Sequence, residues 1–150
     1  MTDTSYQIAF DPGMVGSGYA VWQNQKWLKN GTIIPEGSDH LTKLKDLSQK
    51  LLVFYTDLLS AANGFVSKVI IEEWVKHIPR FKIATILKSA EGRGVIVSVT
   101  SGYCRDICFL SKNQASKTEA QAVAKQHGVS GSKHAIDAYY LGILGGFGLG

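Results

Sequence analysis

Apolar and polar residues alternate along the first third of the chain, in three short runs separated by turn residues. The runs cover residues 6–10, 18–22 and 27–34. A period of two is typical of half-buried strands, and a short connection such as Asn24-Gln25 is typical of a hairpin. The first third therefore predicts a three-stranded antiparallel meander, followed by a loop at residues 35–39.

A helical pattern replaces the alternation after this loop. Apolar residues recur every three or four positions along one stripe, and Asn63-Gly64 is a typical helix end. The stripe consists of Leu41, Leu44, Ser48, Leu51, Tyr55, Leu58, Leu59 and Ala62. The next run, residues 66–73, predicts a buried strand with two acids, Glu72 and Glu73, at its carboxyl end.

The second half of the chain predicts three more helices and one more strand. Pro79 suits the first position of a helix, which we expect to break at residues 92–94, before a strand at residues 95–99. The core stripe of that helix would be Ile83, Ile86, Leu87 and Ala90.

Two helices are predicted at the end of the chain. Residues 116–119 form a capping box, and Ser132 is a suitable N-cap for the last helix. The first of the two would end at Gly128 and bury Ala120, Val123 and Ala124.

The predicted order is therefore β-β-β-α-β-α-β-α-α. Strands that alternate with helices imply parallel additions to a sheet. We expect an α/β fold with a mixed five-stranded sheet, in which three antiparallel strands come first and helices flank the sheet. The 150 residues contain no repeat or low-complexity linker, so we expect one domain over residues 1–150.

Composition and charge narrow the classes of partner. Sixteen Lys and Arg residues against twelve Asp and Glu give a net charge of +4, a mild excess that permits a polyanionic partner. The chain has no signal-peptide pattern and no apolar run near the ~20 residues of a membrane span. We therefore expect no membrane partner. Cys104 and Cys108 lack a second pair of cysteines, so we expect free thiols and a cytoplasmic location.

Acidic residues stand at the predicted ends of two strands and on the last helix. Asp11 ends the first strand, Glu72 and Glu73 end the fourth, and Asp137 follows His134 by three residues. Residues three apart project from one side of a helix. If the first and fourth strands are neighbours, the carboxylates meet and repel unless a cation lies between them. Oxygen ligands with one imidazole suit Mg²⁺ or Mn²⁺.

Each of these residues also has an ordinary structural explanation. Asp11 alone is a common turn residue, a glutamate at a strand end is a common surface charge, and a single histidine is usually not a ligand. Their joint position in this element order is what favours a metal site. Alternation puts Glu72 and Glu73 on opposite faces, and the pattern alone does not say which face holds Asp11.

Four motifs in order resemble those of the RuvC-type Holliday junction resolvases, members of the RNase H-like superfamily. The opening I-A-F-D-P-G-x-x-x-S-G-Y-A-V resembles the family's first motif, and Ile70-Ile71-Glu72-Glu73 resembles its second acidic motif. Ala115-Ser116-Lys117-Thr118 resembles the stretch with a basic residue before a helix, and His134-Ala-Ile-Asp137-Ala138 resembles the last motif. Residues 87–97 also resemble the family's helix-to-strand passage, so that the likeness runs from about Ile8 to Leu144.

This resemblance implies an RNase H-like nuclease that resolves four-way DNA junctions as a homodimer. By matching positions, the catalytic residues and metal ligands would be Asp11, Glu72, His134 and Asp137, holding two Mg²⁺ ions for which Mn²⁺ can substitute. His134 stands where many members have Asp, and the chain is shorter than the typical bacterial member. Both differences indicate a phage-type or otherwise divergent member, acting at the nucleoid or in a host cell.

The resemblance also guides the choice of DNA contacts. Trp74, directly after the acids, could stack on an unpaired base, and Phe81 lies opposite the core stripe of its helix, where a dimer contact would cover it. Cations that could bind phosphates are Lys76, Arg80, Lys82, Arg93, Lys112, Lys117 and Lys133. Lys117 is favoured because a helix N-terminus also attracts phosphate.

Three other functions compete with this interpretation. An Asp-x-Gly turn is also the first phosphate loop of actin-like ATPases and sugar kinases, but these need a second domain that 150 residues do not supply. An RNase H-type nuclease on RNA–DNA hybrids or other branched DNA would share the ligands. A catalytically inactive junction-binding module would share the fold.

Overall fold

The computed structural model describes residues 3–13, 15–60, 63–73, 83–111 and 116–148, with the backbone alone at 83–86 and 116–118. Within this part of the chain the strands are β1 (Thr4–Asp11), β2 (Ser17–Gln23), β3 (Lys26–Ile33), β4 (Gly64–Glu72) and β5 (Ile107–Leu110). The helices are α1 (His40–Leu58), α2 (Ile83–Ser101), α3 (Ser116–Gln126) and α4 (Lys133–Leu144). The predicted α/β element order is confirmed.

The strands form one mixed sheet in the order β3-β2-β1-β4-β5. The first three strands pair antiparallel, and β4 and β5 add in parallel, as predicted. Asn24 and Gln25 join β2 to β3 with positive φ angles of 51° and 68°, which is the backbone of a type I′ hairpin.

The two faces of the sheet carry different helices. Side chains such as Phe10 and Ile71 pack with α1 and α2 in one core cluster. Their neighbours along the strands, Ala9 and Ile70, pack with α3 and α4 in a second cluster. Side chains two residues apart on a strand lie on the same face, so Asp11, like Ala9, lies on the face of the sheet that α4 covers.

The predicted strand at residues 95–99 is wrong, because these residues lie inside α2. Neither Gly92 nor Gly94 breaks the helix, which runs without interruption to Ser101. Burial of Ile96 and Thr100 against α1 outweighs the strand preference of the β-branched run, and the Tyr55 and Thr100 hydroxyls lie 2.7 Å apart. The fifth strand is instead β5, in a stretch whose sequence shows no clear period.

The predicted core stripe of α1 is confirmed at Leu51, Tyr55 and Leu58, which are buried, but its start and the described part of the α2 stripe differ from the prediction. Leu41 is 62% exposed, whereas Leu47, which lies outside the predicted stripe, is buried. On α2, Leu87 and Ala90 are exposed. The buried residues of α2 include Ser89, Ile96 and Thr100, because the continuous helix turns a different stripe toward the sheet. The predicted start at Pro79 lies outside the described residues.

The last two helices agree with the prediction. Ala120 and Ala124 of α3 are buried, and Gly128, with φ 71°, follows its end. The Ser132 hydroxyl accepts a hydrogen bond from the Ala135 amide and so caps α4. No helix in the described ranges has the length and apolar character to cross a membrane.

Candidate active site

Three of the predicted ligands meet where β1 ends against α4. The ligand atoms of Asp11, His134 and Asp137 lie within 4.8 Å of one another. Asp11 is 4% exposed and Asp137 is 7% exposed, whereas His134 is half-buried. The spacing of three residues along α4 puts His134 and Asp137 on one side of the helix, and the end of β1 supplies the second carboxylate.

His134 and Asp11 are directly paired. His134 Nδ1 lies 3.0 Å from Asp11 Oδ2. This hydrogen bond raises the pKa of His134 above its ordinary value, and the charges of Asp11 and Asp137 add to the effect, while burial and Lys133 oppose it. In the absence of a metal, the site therefore favours the protonated form of the imidazole, whose charge would balance part of the negative charge of the two buried carboxylates.

The strand register decides which of the two adjacent glutamates faces the cluster. Phe10 of β1 pairs with Ile71 of β4, so Asp11 and Glu72 follow as neighbours on the face of α4. Glu72 is half-buried, although it lies outside the group of three. Glu73 belongs to the opposite face, is exposed, and accepts a long hydrogen bond of 3.5 Å from the Ser111 hydroxyl.

A glycine lets α4 approach the sheet at the cluster. Gly18 of β2 pairs with Asp11, and a Cβ at this position would lie only 2.0 Å from the His134 carbonyl oxygen. A side chain here would push the first turn of α4 away from β1. The sequence pattern identifies Gly18 as part of a turn motif but does not show this contact.

Side chains of β3 anchor the same end of α4. The Asn30 amide donates to the Ala135 carbonyl at 3.0 Å and accepts from the Trp27 indole at 2.6 Å. The hydroxyls of Thr32 and Ser132 are also hydrogen-bonded. These residues fix the turn that carries His134, and sequence reasoning missed them because nothing in a single strand pattern signals a contact 105 residues away.

The donor set suits a hard divalent cation. Two nearly buried carboxylates and an imidazole supply oxygen and nitrogen ligands at a mutual distance that one ion can span. Mg²⁺ and Mn²⁺ bind such mixed sites, and Glu72 at the adjacent strand end adds a further carboxylate. The residues therefore fit the metal that the sequence resemblance implies.

The predicted contacts with DNA and with a second subunit fall into three groups, according to how far the structure describes them. Lys133 is exposed as the first residue of α4, next to His134, and the Arg93 guanidinium lies 5.0 Å from the centre of the Phe109 ring. Lys117 lies in the first turn of α3, where the backbone alone is described. Trp74, Lys76, Arg80, Phe81, Lys82 and Lys112 lie outside the described residues.

Two solved structures with a similar fold are of RuvC from Thermus thermophilus. RuvC of Thermus thermophilus in complex with a Holliday junction substrate has a TM-score of 0.64 and 14% identity, covering 91% of this chain and 89% of its own. A second T. thermophilus RuvC structure has a TM-score of 0.59 and 13% identity, covering 95% and 97%. No family model and no curated protein sequence matches the chain.

The likeness extends over almost the full length of both proteins, and the described residues of this chain form a mixed five-stranded sheet with four helices. At 14% and 13% identity, the likeness is one of fold. The resemblance first seen in short motifs is thus also a resemblance of the whole architecture, and the chain has the RNase H-like fold of RuvC.

Proposed function

We propose that this protein is a divalent-metal-dependent endonuclease that resolves four-way DNA junctions. The observation that carries the proposal is the cluster of Asp11, His134 and Asp137, at the end of β1 in a RuvC-like fold. One of the RuvC structures that this chain resembles holds a Holliday junction substrate. The net charge of +4 is compatible with a DNA partner.

Asp11, Glu72, His134 and Asp137 would hold the metal, with two Mg²⁺ ions as the expected content and Mn²⁺ as a substitute. Bound divalent ions supply an activated water and stabilise the leaving oxygen in phosphodiester hydrolysis. The chain's contribution is to hold Asp11, His134 and Asp137 together where β1 ends against α4, with Glu72 at the adjacent end of β4.

The two nitrogens of His134 have separate surroundings. Nδ1 is hydrogen-bonded to Asp11, which orients the ring. A Cβ on Gly13 would lie 3.3 Å from Nε2, so the glycine leaves room beside this atom. His134 could use Nε2 as a ligand or as a base for the attacking water.

The active form would be a homodimer, because a four-way junction has approximate two-fold symmetry and needs two paired cuts. Phe81 is the proposed dimer contact and Trp74 the proposed stacking residue. Phosphate contacts would come from Lys76, Arg80, Lys112, Lys117 and Lys133. Such an enzyme would act at the nucleoid, or in the host cell if a phage encodes it.

A cleavage assay on three substrates tests the proposal. Equal concentrations of a synthetic four-way junction, a matched duplex and an RNA–DNA hybrid are incubated with Mg²⁺, with Mn²⁺ and with EDTA. We expect paired cuts near the crossover, in the junction only and with metal only. Preferred cutting of the hybrid would identify an RNase H-type nuclease, and tight junction binding without any cutting would identify an inactive binding module.

A further inference from the structure

A basic cavity lies beside the cluster, on the other face of the sheet. Its volume is about 240 Å³, and its walls come from the loop after β1, the start of α1 and the middle of α2. Among its lining residues are Gly13, His40, Lys43, Leu47, Lys88 and Gly92. Arg93 and Lys133, the predicted phosphate contacts whose side chains are described, do not line it.

Gly13 separates this cavity from the metal-binding cluster. Gly13 lines the cavity, and a Cβ on the same residue would lie 3.0 Å from His134 Cε1 and 2.3 Å from the Gly16 carbonyl oxygen. Among the described residues, Gly13, which has no side chain, therefore lies between the cavity and the imidazole. A strand with one phosphate at the cluster would pass over Gly13 to reach the cavity.

The charges in the cavity favour an anion. Lys43 and Lys88 are exposed at its walls, and within the described part of the chain neither forms an ion pair. The lining carboxylate, Asp39, accepts a hydrogen bond from the Thr42 amide at 2.8 Å and so caps α1. The positive end of the α1 dipole points to the same space.

His40 is a further polar group at the cavity wall. Its Nε2 makes no hydrogen bond among the described residues, although it lies within ion-pair distance of Glu91 Oε1, at 3.5 Å. A buried polar atom normally has a partner. A phosphate oxygen in the cavity would supply one.

The size of the cavity limits the ligand to a small group. Drug-sized ligands occupy sites of roughly 300–1,000 Å³, so a volume of about 240 Å³ suits a phosphate with part of its sugar rather than a whole nucleotide. Leu47 at the wall gives the sugar an apolar surface. We propose that this cavity binds a backbone phosphate of the DNA strand that is cut, next to the scissile linkage, through Lys43 and Lys88.

This inference rests on the proposed nuclease function, and a binding experiment without metal tests the two separately. The affinity for a labelled four-way junction is measured by fluorescence anisotropy in EDTA at several KCl concentrations. We expect the Lys43→Gln, Lys88→Gln double variant to bind more weakly and its slope of log affinity against log salt to fall by about one. Lys45→Gln, on the same helix but outside the cavity, should leave the slope unchanged.

A second set of junctions identifies the phosphate. Each carries one neutral methylphosphonate linkage, placed at successive positions beside the cut. At one position the neutral linkage should weaken binding to the wild type at least fivefold and leave binding to the double variant unchanged, because both changes remove the same contact. Inorganic phosphate, titrated alone and followed by the Lys43 and Lys88 side-chain signals, should bind only weakly.

The outcomes separate the two claims. If the wild type neither binds nor cuts the junction, the proposed function fails. If the wild type cuts the junction but the double variant keeps its affinity and salt slope, or Lys45→Gln has an equal effect, the cavity is not a strand-binding site. Tight binding of inorganic phosphate without any methylphosphonate effect would also overturn the inference.

Discussion

Asp11 and His134 lie 123 residues apart in the chain and meet at 3.0 Å. Their contact raises the pKa of His134 and brings a carboxylate, an imidazole and a second carboxylate to one point. Asp11 and Asp137 are almost fully buried, a cost that a bound cation would offset. These contacts favour a metal site over the alternative that Asp11 is only a turn residue and His134 only a surface histidine.

The raised pKa of His134 predicts a pH-dependent stability of the metal-free protein. The folded state binds the proton more tightly, so this stabilisation is complete below the ordinary pKa of ~6.5 and is lost as pH rises through the higher folded value. His134 is more than a third exposed, so we expect a contribution below about 1 kcal/mol. In EDTA, the melting temperature of the wild type should exceed that of His134→Gln more at pH 5.5 than at pH 8.5.

The difference should not exceed about 4 °C for a domain of this size. All other residues are the same in the two proteins, so their contributions cancel in the comparison. A gap between the two melting curves that widens toward pH 8.5 would contradict the assigned direction of the shift.

At the scale of elements, α4 carries two of the proposed ligands and its position decides the geometry. Gly18 allows the close approach, and Asn30 and Thr32 of β3 hold the first turn. The antiparallel meander therefore has a second role besides forming part of the sheet. Its edge strand, β3, holds α4, the helix that completes the cluster.

Gly18→Ala should therefore destabilise the protein. Its Cβ would lie 2.0 Å from a carbonyl oxygen, and overpacking of this kind costs about 1–3 kcal/mol. Gly92→Ala on α2 is the matched control, because its Cβ would meet nothing within 4 Å and should stabilise the helix by about 0.5–1 kcal/mol. Urea unfolding measures both, and equal effects of the two substitutions would refute the close-approach argument.

Asn30→Ala should loosen the first turn of α4. The lost hydrogen bond to the Ala135 carbonyl is worth about 1 kcal/mol, and amide hydrogen exchange at Ala135 and Ile136 should accelerate several-fold, while exchange at Leu141 stays as in the wild type. Thr56→Val, an exposed change on α1, serves as the control. Unchanged exchange at the first turn would show that β3 does not anchor it.

Much of the element order could be predicted because period-two and period-3.6 patterns record which faces are buried. The β-branched run from Val95 to Val99 misled the prediction, since its preference for strands is weaker than the packing of a long α2. Strand β5 has only four residues, and most of them are half-buried, so its sequence shows no clear alternation. The anchoring of α4 by Asn30 depends on tertiary contacts, which one sequence does not record.

At the scale of the whole molecule, the cluster lies at the carboxyl ends of two parallel strands, β1 and β4. Ligands of open α/β sheets commonly bind at this end. The cluster faces α4, and the basic cavity lies on the side of α1 and α2, with Gly13 between them. A single DNA strand crossing this edge could contact both.

The proposed dimer gives a prediction about assembly. Phe81→Glu would bury a charge at the interface, which is costly without a partner, so the variant should be a folded monomer that nicks junctions without paired cuts. Phe65→Glu, at a side chain that is 46% exposed on β4, should stay dimeric. Sedimentation velocity on both variants decides, and a wild type that is monomeric at micromolar concentration, alone and on a junction, would disprove the dimer.

The central claim is that the Asp11 cluster holds the metal that cuts a DNA junction. Single-turnover cleavage of a synthetic four-way junction in Mg²⁺ tests it, with the wild type, Asp11→Asn and the exposed control Asp57→Asn, and with junction affinity measured alongside in EDTA. We expect Asp11→Asn to cut slower by about two orders of magnitude or more, with junction affinity within twofold of the wild type, while Asp57→Asn cuts normally. Cutting by Asp11→Asn at the wild-type rate would contradict the account.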